Sequence, residues 1–189
     1  TGVAANLASG ASLDLTVSTE TVSRSADSGW AAIQAENGSI RISGTEPSIN
    51  VNIYGLGAAG DWAMLPEFTI NALYAENGLV TADGTSWTAD MVNLTYAGFA
   101  NLVYDIGKML SDDGRLFQVR FTKLGDSPLK DYASTDNQKA AVDSLWTVTS
   151  APQNISPAMM EFLNAVGNAQ AAGDAGTIQS ALSSYAGSG

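Results

Sequence analysis

Glu36-Asn37-Gly38-Ser39-Ile40-Arg41-Ile42-Ser43-Gly44-Thr45 returns later in the chain as Glu76-Asn77-Gly78-Leu79-Val80-Thr81-Ala82-Asp83-Gly84-Thr85. The two segments share E-N-G-x-[I/V]-x-x-x-G-T, and Ala32 and Ala35 match Ala72 and Ala75 at the same offset. Asn-Gly beside apolar residues is a strong hairpin signal, because a tight primed turn wants positive φ at both central residues. Each copy therefore predicts a β-hairpin. A duplicated hairpin and convergent turn chemistry on a glycine-rich background both account for the likeness. Solenoids need about three repeats and no third copy appears, so convergence is the reading carried forward.

Outward from these turns the front of the chain alternates. Leu13, Leu15 and Val17 are spaced by polar residues, as are Ile49, Val51 and Ile53. Phe68, Ile70, Ala72 and Tyr74 form a third run of period two, and Phe117, Val119 and Phe121 a fourth within a strand at 116–122. Such alternation buries one face of a strand. Between the third and fourth runs the period changes. Tyr96, Phe99, Leu102, Val103, Ile106, Met109 and Leu110 fall at helical spacing, which predicts an amphipathic helix at about 96–111. Ser134 or Thr135 can cap a helix running to about Leu145, with Trp146–Thr149 as one more strand. Ala151-Pro152 marks a boundary. Beyond it Ser156-Pro157 is a cap followed by proline at the first helical position, and Met159, Phe162, Leu163 and Val166 line one face of the helix that follows.

The expectation is an α+β, mainly β fold: an antiparallel β-sandwich or barrel with one flanking amphipathic helix. Residues 1–150 form the β-rich domain with the embedded helix, and 151–189 form a helical C-terminal appendage.

Composition narrows function by what it omits. The 189 residues contain no histidine and no cysteine, the side chains behind most near-neutral acid–base work, thiol nucleophiles and zinc sites. Only 14% of residues are charged, against about 25% in an ordinary soluble domain. Four Lys and four Arg, scattered against 19 acidic residues, leave no basic stripe for a phosphate backbone. No nucleic-acid partner is expected. No apolar run is long enough to span a bilayer, and Thr1–Ser12 lacks the basic and apolar regions of a signal peptide. Either a leader has been removed or an initiator Met has been lost before Thr1.

Candidate chemistry is thin. Six Glu, and Asp concentrated in turn contexts such as Asp83-Gly84 and Asp113-Gly114, give no carboxylate pair of glycosidase type. Lys108, Lys123, Lys130 and Lys139 sit in no nucleophile motif, and no nucleophile elbow, P-loop or dinucleotide fingerprint is present. Calcium is the one metal with suitable ligands nearby, in Asp112, Asp113, Asp126 and Asp131, but no EF-hand spacing connects them. The expectation is no enzyme, no cofactor and no metal. Of the four tryptophans, Trp62 and Trp87 stand in loop-like surroundings where an aromatic can anchor a ligand or partner.

In its Cys- and His-free, Lys-poor composition, its strand-rich front with Asn-Gly at 37–38 and 77–78, and its one helix at about 96–111, the chain resembles virion structural proteins of phages and viruses: capsid, decoration or tail-tube subunits. The resemblance implies a non-enzymatic structural subunit, located in the virion, whose partners are further copies of itself and other virion proteins. A low surface charge suits contact with neighbouring subunits, since charges are depleted at interface cores. The interaction surface is then expected at Trp62, Trp87, Met159, Phe162, Leu163 and Val166. The alternative is a secreted, extracellular carbohydrate-binding or adhesion module that uses exposed tryptophans.

Overall fold

The computed structural model describes residues 2–27 and 29–188. Its strands are β1 (Gly2–Leu7), β2 (Ala11–Thr16), β3 (Ile33–Ala35), β4 (Gly38–Ile42), β5 (Ile49–Tyr54), β6 (Glu67–Ala75), β7 (Leu79–Thr81), β8 (Val92–Tyr96), β9 (Tyr104–Leu110) and β10 (Leu116–Lys123). Its helices are α1 (Thr19–Arg24), α2 (Asp136–Thr149), α3 (Pro157–Ala172) and α4 (Ala175–Ser188). The chain divides into two compact units, one of residues 1–54, 67–95 and 106–121, the other of 55–66, 96–105 and 122–189.

The first unit is built by coiling. Its three sheets run β1-β4-β7, β2-β5-β8 and β3-β6-β10-β9. The chain visits the sheets in rotation, so β1, β2 and β3 form one coil and β4, β5 and β6 the next. Stacked strands are parallel, with Gly2 on Gly38, Leu13 on Val51, Ile33 on Leu73 and Ile40 on Leu79. Partners therefore lie 35 to 40 residues apart in sequence. This corrects the antiparallel sandwich or barrel: alternation shows that a strand has a buried face, but parallel and antiparallel partners both satisfy it.

The repeated Glu-Asn-Gly segments are corners of this coil. Asn37-Gly38 carries the chain from β3 in one sheet to β4 in another, and Asn77-Gly78 carries it from β6 to β7. The corners stack, with Glu76 N–H donating to Ala35 O at 2.9 Å, Asn77 N–H to Gly38 O at 3.0 Å and Ile40 N–H to Gly78 O at 3.1 Å. The two copies occupy equivalent places on successive coils. Neither is a hairpin, because no non-glycine residue among those described has positive φ and so neither Asn takes up the primed turn. Gly38 serves close approach instead: a methyl there would come within 2.8 Å of both Ala4 Cβ and Gly2 O on the coil before. Ile40, Ile42, Ile49, Val51, Ile53, Ile70 and Leu79 fill the interior, none more than 3% exposed.

Between β2 and β3 the first coil swings out through α1, capped by Ser18. Asn71 of β6 holds this excursion. Fully buried, it donates from Nδ2 to the carbonyls of Asp27 (3.1 Å) and Trp30 (2.8 Å), and its Oδ1 accepts from Gln118 Nε2 (2.9 Å). Asn71→Ala strands two carbonyls and an amide together, and buried groups left unpaired cost about 1–3 kcal/mol each before water compensates. A loss of about 3 kcal/mol in urea unfolding is expected, with proteolysis of the intact chain moving to residues 25–32.

The second unit is mostly helical. Thr135 and Gln138 close a reciprocal capping box at α2, as the sequence suggests, and α2 runs through Trp146–Thr149, where a strand was expected. Ser156 caps α3 with Pro157 in its first turn. The expected helix at 96–111 is absent. Gly98 at φ +116° breaks the chain, Phe99–Leu102 is a single 3-10 turn, and β9 follows. The helical spacing there arises because Phe99, Leu102 and Val103 are buried around one short turn. Residues 151–189 share a unit with 122–150, and α3 lies against Phe99–Leu102: Asn168 Oδ1 accepts from Gly98 N–H at 2.8 Å and Asn164 Oδ1 from Phe99 N–H at 2.9 Å.

Candidate functional site

The structure places the six expected interaction residues in the two units, and most of them inside. Trp62 is 3% exposed and sits 6.1 Å from Phe99 and 6.3 Å from Tyr104 between ring centroids. Trp87 is 2% exposed, its indole N–H donating to Val80 O at 2.7 Å. Leu163 and Val166 are core residues of the second unit. A loop context does not mean exposure here: both tryptophans fold back onto their own unit. Met159 and Phe162 remain half-exposed on α3, with Phe162 stacked on Tyr185 at 5.9 Å.

The acidic loops are occupied by their own turn bonds. Asp113 accepts from the Ser111 hydroxyl and from Arg115 N–H, the first of which chiefly holds its carboxyl below the ordinary value. Asp126 accepts from Lys130 Nζ at 2.6 Å, which lowers its pKa. Among the described residues no three acidic side chains gather as a cation site.

What the structure brings together is a sheet edge that no sequence motif announces. β1, β2 and β3 each lie at the end of their sheet. Ala11 and Leu13 are half-exposed, whereas Ile49 and Val51, directly beneath them, are fully buried. Asp14 is the single charged residue in these three strands, although an unprotected edge is ordinarily blunted with lysine, proline or a bulge. β1 does carry an irregularity between Val3 and Ala5; β2 pairs with β5 without one.

On the outward face of β2, β5 and β8 polar side chains form ladders across the coils. Thr95 Oγ1 donates to Asn52 Oδ1 at 2.6 Å, and Asn52 Nδ2 donates to Asp14 Oδ1 at 2.9 Å. Beside them Asn93 Nδ2 donates to Asn50 Oδ1 at 3.3 Å, and Asn50 Nδ2 to Gly10 O at 3.1 Å.

At the β7 end the geometry differs. Residues 85–87 turn back against β7, with Thr81 N–H donating to Thr85 O, Trp87 N–H to Leu79 O, and Val80 facing Ser86 in an antiparallel bridge. That end of the first sheet is therefore covered by its own chain. The alternation of Leu13, Leu15 and Val17 marks β2 as a strand, but its edge position depends on pairing with residues some forty positions away. Compared with protein-family models, with curated proteins and with solved structures, the chain matches none.

Proposed function

We propose that this chain is a non-enzymatic structural subunit that assembles with further copies of itself, in the setting of a virion. One observation carries the self-association: only 14% of the residues are charged, against about 25% in an ordinary soluble domain, and charges are depleted at interface cores. The virion setting rests on the compositional resemblance alone.

Native mass by light scattering, with negative-stain microscopy of the same sample at low and high concentration, tests it. Defined oligomers, rings, tubes or shells are the expected result. A monomer at every concentration would refute self-assembly.

A further inference from the structure

We propose that the end of α1 and the loop after it form a binding site for a neutral saccharide, with Trp30 as its platform. The site is a cleft of about 450 Å³ lined by Ser23, Arg24, Ala26, Asp27 and Trp30. That volume falls in the range of small-molecule sites, about 300–1,000 Å³. The cleft lies wholly within the first unit, and the proposal stands independently of the self-assembly reading. Trp62 and Trp87 are closed inside, but Trp30 is half-exposed. An indole in a cleft wall offers a flat apolar surface beside polar groups.

The polar groups decide the ligand. Arg24 pairs with Glu20 at 2.7 Å and holds its guanidinium carbon 5.9 Å from the centre of the Trp30 ring. Asp27 and Ser23, both exposed, add a carboxylate and a hydroxyl. The indole is thus flanked by a donor, an acceptor and a group that does both. A phosphate would meet the Asp27 carboxylate, and the one cation lining the cleft is already paired with Glu20. An ammonium or guanidinium would meet Arg24. An aliphatic ligand would take these polar groups out of water without replacing their hydrogen bonds. A pyranose satisfies them all: its C–H face packs on the indole, while its hydroxyls accept from Arg24 and donate to Asp27.

The loop is held in shape from the core. Asn71, fully buried on β6, donates from Nδ2 to the carbonyls of both Asp27 and Trp30. Its own N–H donates to Ser25 Oγ at 2.9 Å, and Trp30 N–H donates to Asp27 O at 3.0 Å. Gly29 N–H donates to Asp27 Oδ1 at 2.9 Å, which orients the carboxylate and leaves Oδ2 for a ligand. One buried amide therefore ties the platform to the acceptor. A loop already ordered has less freedom to lose on binding, the source of affinity in preorganised sites.

The test begins with the labelled chain on a printed array of neutral oligosaccharides of gluco, galacto, manno and N-acetylhexosamine types. Titration calorimetry with a retained oligosaccharide follows. The chain should bind at least one type. Trp30→Ala should weaken that binding about tenfold or more, by loss of the stacking surface. Asp27→Asn keeps an acceptor for Gly29 N–H, removes the charge, and should weaken binding about tenfold. Tyr54→Ser removes a 53% exposed ring elsewhere in the same unit and should leave affinity unchanged. Circular dichroism checks the fold of each variant, and where Trp30→Ala does not fold, Asp27→Asn decides alone. A chain that binds none of the types would overturn the proposal. So would binding that a folded Trp30→Ala leaves unchanged, or that Tyr54→Ser abolishes. The oligomeric state read by light scattering is unaffected by either result, so this site and self-assembly fail separately.

Discussion

Gly167→Ala should destabilise the second unit by about 3 kcal/mol, although helix propensity predicts a gain. Inside a helix, Ala is ordinarily better than Gly by about 1 kcal/mol. At Gly167, however, α3 lies flat against the backbone of Gly98 and Phe99, and a methyl group would overlap the Gly98 carbonyl oxygen. Backbone cannot step aside as a flexible side chain does. Gly98 is itself fixed, because it holds φ +116° and a Cβ on it would come within 2.6 Å of the Leu56 carbonyl. Relief would require α3 to lift, breaking the bonds of Asn164 and Asn168 to Phe99 and Gly98. Overpacking a tight contact costs about 1–3 kcal/mol and occasionally more, and the rigid neighbour sets this case at the upper end. Gly176→Ala in α4 meets only an ordinary contact with Asp174 at 3.8 Å, so it should instead stabilise by up to about 1 kcal/mol. Urea unfolding of the two variants reads both signs.

Trp87→Ala should cost about 4 kcal/mol and open the β7 edge. Truncating a buried tryptophan costs about 3–5 kcal/mol through lost burial and the cavity left behind. The same change removes the donor to Val80 O. Against a typical total stability of about 5–15 kcal/mol, the variant keeps a small margin at best. Trp87→Phe separates the two contributions. It keeps most of the apolar burial and loses the indole hydrogen bond, so a cost of about 1–2 kcal/mol is expected. Chemical denaturation followed by far-ultraviolet circular dichroism gives both values. An Ala variant as stable as the parent would mean that residues 85–87 do not close that edge.

Local features were legible in the sequence and long-range ones were not. The strands at 13–17, 49–53, 68–74 and 116–122, and the helix starts at Thr135 and Ser156, all show in period or capping chemistry confined to a few residues. Which strand lies beside which does not. Leu13 rests on Val51 and Ile40 on Leu79, partners that alternation cannot distinguish from a hairpin neighbour. The Glu-Asn-Gly repeat held the information in its spacing, which is that of stacked coils. Residues 96–111 show the opposite failure. One 3-10 turn followed by a strand placed apolar residues at helical intervals, and Gly98 was the sign that the helix could not run through. The candidate edge was hidden for the same reason as the pairing: β2 is an edge only because β5 lies on one side of it and no described strand lies on the other.

The fold rests on the chain coiling, so the stacking of the two repeated segments is the point to measure first. Arg41 and Val80 are register partners in parallel β4 and β7, and both are half-exposed. Neighbouring parallel strands lie about 4.8 Å apart, within reach of a disulfide. Arg41→Cys with Val80→Cys, oxidised and examined by peptide mass spectrometry, should show one intramolecular disulfide joining those two positions. Two free thiols in a double variant that is folded by circular dichroism would contradict the coil.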